Sequence, residues 1–142
     1  MKTRMILALA AGLLALTSLH NGSAGQSKTS SKHQQIAHGE YLVKAIGQCG
    51  DCHTPMNAKG EFIAGQWLRG KKLEFAPTVA MQVWADTSPN IVGLPDWNHE
   101  KAVQFFMTGL APNGQPARPP MPQYKMNRAD AEAVVAYLES LK

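Results

Sequence analysis

Two cysteines three positions apart, followed at once by a histidine, constrain this chain more than any other feature: Cys49-Gly50-Asp51-Cys52-His53. On one helical turn, positions i and i+3 share a face, so both thiols can reach one edge of a flat macrocycle while the next imidazole reaches its centre. C-x-x-C-H is the pattern for covalent attachment of a c-type haem, with His53 as an iron ligand. Gly50 and Asp51 would then be spectators pointing away. Other readings of the pair fit less well. A Cys49–Cys52 disulfide would close too short a loop to constrain the unfolded chain much. A redox-active C-x-x-C belongs at a helix N-terminus after a strand, whereas the residues before Cys49 look helical. A structural zinc site needs two further ligands, and His33, His38 and His99 do not stand at zinc-finger spacing.

The start of the chain suits haem attachment, which takes place after export. Lys2 and Arg4 precede an apolar run from Met5 to Leu16, followed by the small, polar Asn21-Gly22-Ser23-Ala24. This reads as a signal peptide, residues 1–24, with cleavage after Ala24. Its apolar run is shorter than the roughly 20 residues of a membrane span. Cleavage would remove two of the 14 basic side chains and none of the 10 acidic ones, so the formal charge falls from +4 to +2. Apart from Lys71-Lys72 the remaining lysines are scattered, which argues against nucleic-acid binding.

Residues 25–33 are polar and lack apolar periodicity, which suggests a flexible leader, with the folded domain spanning 34–142. Ile36, Tyr41, Leu42, Val43, Ala45 and Ile46 predict a first helix over 35–47, stopped by Gly47. Residues 55–96 show neither helical nor strand periodicity and predict a long irregular segment. Asn98 should cap a helix running to Gly109, with Val103, Phe106, Met107 and Leu110 on one side. Five prolines between Ala111 and Tyr124 exclude helix and central strand there. Asn127 should cap a terminal helix carrying Val134, Tyr137, Leu138 and Leu141 on one face. Short helices joined by such long loops imply that the loops wrap around something large.

A second iron ligand is expected to be a methionine, whose soft sulfur favours ferrous iron. Met56 is tethered beside His53, and Met107 lies on a core stripe. Met121 stands in Pro119-Pro120-Met121-Pro122, where fixed φ angles can hold a loop rigidly. Met121 is therefore the expected ligand, with Met126 and Met81 as alternatives.

Gly39-Glu40-Tyr41-Leu42-Val43, the Cys49–His53 motif with Thr54-Pro55, Asn90-Ile91, Trp97, Thr108-Gly109, Pro119-Pro120-Met121-Pro122 and Ala136-Tyr137-Leu138 together resemble class I monohaem c-type cytochromes. They are similar to the cytochrome c domains of bacterial alcohol and aldehyde dehydrogenase cytochrome subunits. The resemblance covers roughly residues 36–142. It implies an all-α fold of short helices and long loops wrapped around one covalently bound haem c, with first and last helices crossing at Gly39 and Tyr137. Trp67, Trp84 and Trp97 become candidate haem-pocket residues, with Trp97 preferred as core. The implied function is single-electron transfer in the periplasm or at the membrane periphery, without substrate chemistry of its own. Partners would be a dehydrogenase donor and an oxidase or another cytochrome as acceptor. A single C-x-x-C-H favours a separate carrier, with a dehydrogenase subunit as the alternative and a haem sensor or enzyme with an open sixth position behind it.

Overall fold

The computed structural model describes residues 24–142. The charged and apolar segments of the expected signal peptide lie outside the described residues. Helix α1 spans Ala24–Tyr41 and runs into a π-helical turn, Leu42–Ile46. Residues 25–33, expected as a leader without regular structure, are thus helical. Once the later turns of α1 are packed, each further turn adds a hydrogen bond without a new nucleation cost.

Gly47 closes the π turn, its N–H donating to Leu42 O at 2.7 Å. The left-handed conformation falls instead on Gln48, at φ 46°, and Gly47 itself has φ −81°. Room, not φ, explains the glycine: a Cβ there would lie 3.2 Å from Cys49 Sγ and 3.3 Å from the Tyr124 hydroxyl. The reversal at Gln48 starts the single-turn helix α2, Cys49–His53.

Strands β1, Lys71–Lys72, and β2, Thr87–Ser88, form a two-residue antiparallel ladder pairing Lys71 with Ser88 and Lys72 with Thr87. This small ladder is the one element the expected irregular segment hides. Helix α3, His99–Thr108, starts as anticipated: Asn98 Oδ1 accepts from Lys101 N at 2.8 Å. It stops at Gly109, whose φ of 73° suits a residue without Cβ. Leu110 lies beyond that stop and is 43 % exposed, so the apolar stripe ends one turn earlier than expected, at Phe106 and Met107. Helix α4, Arg128–Ser140, is capped by Asn127, whose Oδ1 accepts from Asp130 N at 2.9 Å. Asp130 adds a carboxylate where the helix dipole favours one.

The centre of the molecule is the packing of α1, α3 and α4. Val43, Val103, Val134, Val135 and Leu138 are each at most 1 % exposed, worth about 1.5–3 kcal/mol apiece for an aliphatic side chain removed from water. Helices α1 and α4 cross without clearance at Gly39. A Cβ on that residue would stand 1.9 Å from Ala133 O and 2.9 Å from Tyr137 Cβ. The close crossing at Gly39 and Tyr137 is therefore present as expected. Across the surface, Arg128 of α4 reaches Glu100 of α3 at 2.7 Å, and His38 of α1 meets Asp130 of α4 at 2.7 Å. Both pairs are exposed and add little beyond register.

Candidate functional site

Residues from α2, from β2 and its sequel, from α3 and from the proline-rich loop all line one cavity of about 490 Å³. Leu73, Ile91, Leu94, Phe105, Phe106 and Leu138 make much of its wall apolar. Cys49, Cys52, His53 and Met121, the four residues singled out by sequence, all border it. Among the described residues Met121 is the one methionine that does. Met81 is 44 % exposed on its loop, and Met126 packs against the helical core with its N–H donating to Phe106 O at 3.0 Å.

The α2 turn is held from several sides. Asp51 N donates to Gln48 O at 3.1 Å and Thr54 N to Gly50 O at 2.9 Å, closing the turn that sets the two thiols. Neither cysteine is in a disulfide. Burial pushes the Cys49 thiol up to about 11, outweighing its own backbone hydrogen bond and the neighbouring Tyr124 hydroxyl, so it is protonated at neutral pH.

His53 is buried, 6 % exposed, with Nδ1 2.9 Å from Pro89 O. A carbonyl can only accept, so Nδ1 carries the proton and Nε2 keeps its lone pair. Burial lowers the pKa of His53, and the Pro89 contact opposes this only in part, so the imidazole stays neutral and available as a ligand. Its backbone is fixed as well: Gly70 N donates to His53 O at 2.7 Å.

Gly50 is not the spectator the spacing suggested. It is buried, and a Cβ there would meet the six-membered ring of Trp67 at 2.5 Å. Trp67 in turn donates from Nε1 to the Tyr137 hydroxyl at 3.2 Å and stacks edge-on with Phe62, ring centroids 5.5 Å apart. It thus backs the α2 turn from outside the cavity and ties it to α4. Gly50 does face away from the cavity, as expected, whereas Asp51 stands at the cavity rim, exposed. Of the three tryptophans only Trp97 lines the cavity. It also packs against the core, with its ring 5.2 Å from Phe105. Trp84 instead meets Phe75, at 6.0 Å.

The proline-rich loop is pinned at both ends. Ala85 N donates to Pro119 O at 2.7 Å and Met121 N to Arg118 O at 3.0 Å, while the Tyr124 hydroxyl donates to Gly47 O at 3.0 Å. Tyr124 therefore links the loop that carries Met121 to the residue preceding α2. Sequence reasoning missed Ser88, Pro89 and Tyr124, because no periodicity marks a residue whose role is to hydrogen-bond a distant segment.

The cytochrome c family model matches residues 36–142. A "Diheme cytochrome c-type" protein from Cereibacter sphaeroides is 31 % identical over 107 residues, covering 71 % of this chain and 33 % of its own length. The fructose dehydrogenase cytochrome subunit of Gluconobacter japonicus is 28 % identical over 114 residues, 72 % of this chain and 21 % of its own. The cytochrome c subunit of the quinone alcohol dehydrogenase of Gluconobacter oxydans is 31 % identical over 78 residues, 53 % of this chain and 16 % of its own. The chain spans a third or less of each of these relatives.

Proposed function

The chain belongs to the cytochrome c family, and from that premise we propose that it is an exported, periplasmic single-electron carrier. In this reading it holds one haem on Cys49 and Cys52, with His53 and Met121 as the iron ligands. Family membership makes it an electron-transfer protein with covalent haem c. The observation that carries the finer reading is the convergence of those four side chains on one largely apolar cavity. The residues fit the group: two unpaired thiols one helical turn apart, an imidazole with a free Nε2, and a pocket of the 300–1,000 Å³ class that holds small-molecule cofactors.

When bound, the haem supplies the reversible one-electron change at its iron. The protein supplies the setting. His53 presents a neutral nitrogen in a fixed orientation, and Met121 offers a thioether that favours the ferrous state and raises the potential. Leu94, Phe106 and Leu138 exclude water, which limits the reorganisation that accompanies a change of charge. No helix among the described residues is long and apolar enough to cross a membrane. The named relatives include subunits of fructose and alcohol dehydrogenases, which supports a dehydrogenase as the electron donor and an oxidase or second cytochrome as acceptor. Because each relative is at least three times longer than the matched segment, the subunit role is the second reading.

Absorption spectra of the exported protein, oxidised and reduced, with a pyridine haemochrome assay, test the proposal. One thioether-linked haem per chain and a ferric sulfur-to-iron band are expected. Met121→Ala should abolish that band, lower the potential and open the ferrous protein to carbon monoxide. A band that survives the substitution would move the ligand to Met126 or Met81. Ready carbon monoxide binding by the unmodified protein would favour an open sixth position, as in a sensor or enzyme.

A further inference from the structure

Ser88 is joined to two other segments of chain at once. Its Oγ donates to Cys52 O at 2.5 Å, accepts from Lys71 N at 3.0 Å and lies 3.2 Å from Lys71 O. The next residue, Pro89, has no N–H, and its carbonyl accepts from His53 Nδ1 at 2.9 Å. Consecutive residues thus read consecutive residues: Ser88 the backbone of Cys52, Pro89 the ring of His53. A ladder of two residues per strand is too short to fix this register alone. Gly70 completes the junction. Its N–H holds His53 O, and a Cβ on it would meet Ser88 O at 2.6 Å and the Pro89 carbonyl carbon at 2.7 Å.

We infer that Ser88 is a positioning residue for the iron ligand: its hydroxyl anchors β2 to α2 and so sets how strongly the Pro89 carbonyl pulls on the His53 Nδ1 proton. The inference rests on the proposed role of His53. A partner that accepts from the distal nitrogen of a ligating imidazole raises its basicity and fixes its orientation. A more basic imidazole favours ferric iron, so a tightly held Pro89 carbonyl lowers the potential. Without the Ser88 hydroxyl, Cys52 O and Lys71 N lose their partner, residues 88–89 are freed to shift, and the bond to Nδ1 weakens.

The test uses the full haem-loaded protein with Ser88→Ala and Ser88→Thr, and Ser88→Val where the alanine variant does not load haem. Reduction potential and the hydrogen-exchange rate of the His53 Nδ1 proton are measured together with thermal stability. Ser88→Ala or Ser88→Val should raise the potential and speed Nδ1 exchange several-fold, while Ser88→Thr, which keeps the hydroxyl in a β-compatible side chain, should restore both. Lower thermal stability with potential and exchange unchanged would make Ser88 a purely structural residue and overturn the inference. Absence of His53 ring protons among the haem-shifted resonances of the unmodified protein would overturn the ligand reading and this inference with it. Their presence, with unaffected variants, would sink the role of Ser88 alone.

Discussion

The α1–α3–α4 packing and the segment between Thr54 and Asp96 meet where Trp67 donates to Tyr137, where Gly93 N donates to Leu138 O, and where Leu68 and Leu94 join the helical core, yet they are held together differently. The helical half is built on local pattern: α3 and α4 are capped by Asn98 and Asn127, and α1 and α4 interlock at a crossing with no room for a methyl group at Gly39. The loop half has a two-by-two ladder, one fully buried leucine at Leu68 in a left-handed conformation, and single hydrogen bonds to α2 and the residue that ends it: Leu68 N to Thr54 Oγ1, Gly70 N to His53 O, Ser88 Oγ to Cys52 O. Phe75, Val79, Met81 and Val83 remain exposed on it. The first half is organised by its own apolar faces, and the second by what it encloses.

Preventing attachment should break that contrast most severely. Without haem, the apolar wall of the cavity, with Leu73, Ile91, Leu94, Phe105, Phe106 and Leu138, loses its packing partner, a loss on the order of 5 kcal/mol, against a whole-domain stability of about 5–15 kcal/mol. Cys49→Ala/Cys52→Ala should therefore lose its cooperative thermal transition, and amides of residues 54–96 should exchange at nearly unfolded rates. Calorimetry and amide exchange would check this. A sharp transition in the double variant would mean that the loops hold themselves.

The next largest effect belongs to the helical half. Gly→Ala inside a helix normally stabilises by about 1 kcal/mol. At Gly39 the added methyl would stand 1.9 Å from Ala133 O, where nothing flexible can yield. Overpacking of about 1–3 kcal/mol should overcome the propensity gain. Gly39→Ala is expected to destabilise by about 2 kcal/mol in denaturant titration, with the visible spectrum of the folded protein unchanged. Stabilisation instead would show that α1 and α4 can separate without cost.

The same division decides what could be read from sequence. The caps at Asn98 and Asn127, the stop at Gly109 and the buried Val134, Tyr137 and Leu138 follow from local chemistry and helical period, so they were legible. The grouping of Cys49, Cys52, His53 and Met121 along one cavity was foreshadowed too, by the spacing of the first three and by the prolines on either side of Met121, while their roles toward a haem belong to the proposal above. Gly50 was misread because spacing tells which residues face the cavity and nothing about Trp67 on the other side. Ser88, Pro89 and Tyr124 act through hydrogen bonds to distant residues, across 36 residues for Ser88 to Cys52 and Pro89 to His53, and 77 for Tyr124 to Gly47. A single long-range contact leaves no local pattern. Residues 25–33 failed for the opposite reason: their composition is polar throughout, and their helix is inherited from the packed turns that follow.

The smallest effect tests whether the two halves are separable at all. Asn127 Oδ1 satisfies the Asp130 N–H at 2.9 Å, and Asp130 in turn reaches His38 at 2.7 Å. Removing an N-cap side chain costs about 1 kcal/mol, and the exposed His38 pair adds little to that. Asn127→Ala should lower stability by about this amount. Native-state exchange should show lost protection at the first turn of α4 and none at Leu68, Gly70 or Lys71, whose amides are held by Thr54, His53 and Ser88. The cap lies at the opposite end of α4 from Tyr137 and Leu138, which hold Trp67 and Gly93 of the loop half, so fraying of the first turn leaves those contacts in place. Equal loss of protection at Gly70 and in α4 would mean that both regions open only together, and the distinction between a self-organised half and an enclosed one would then describe how they are built but not how they unfold.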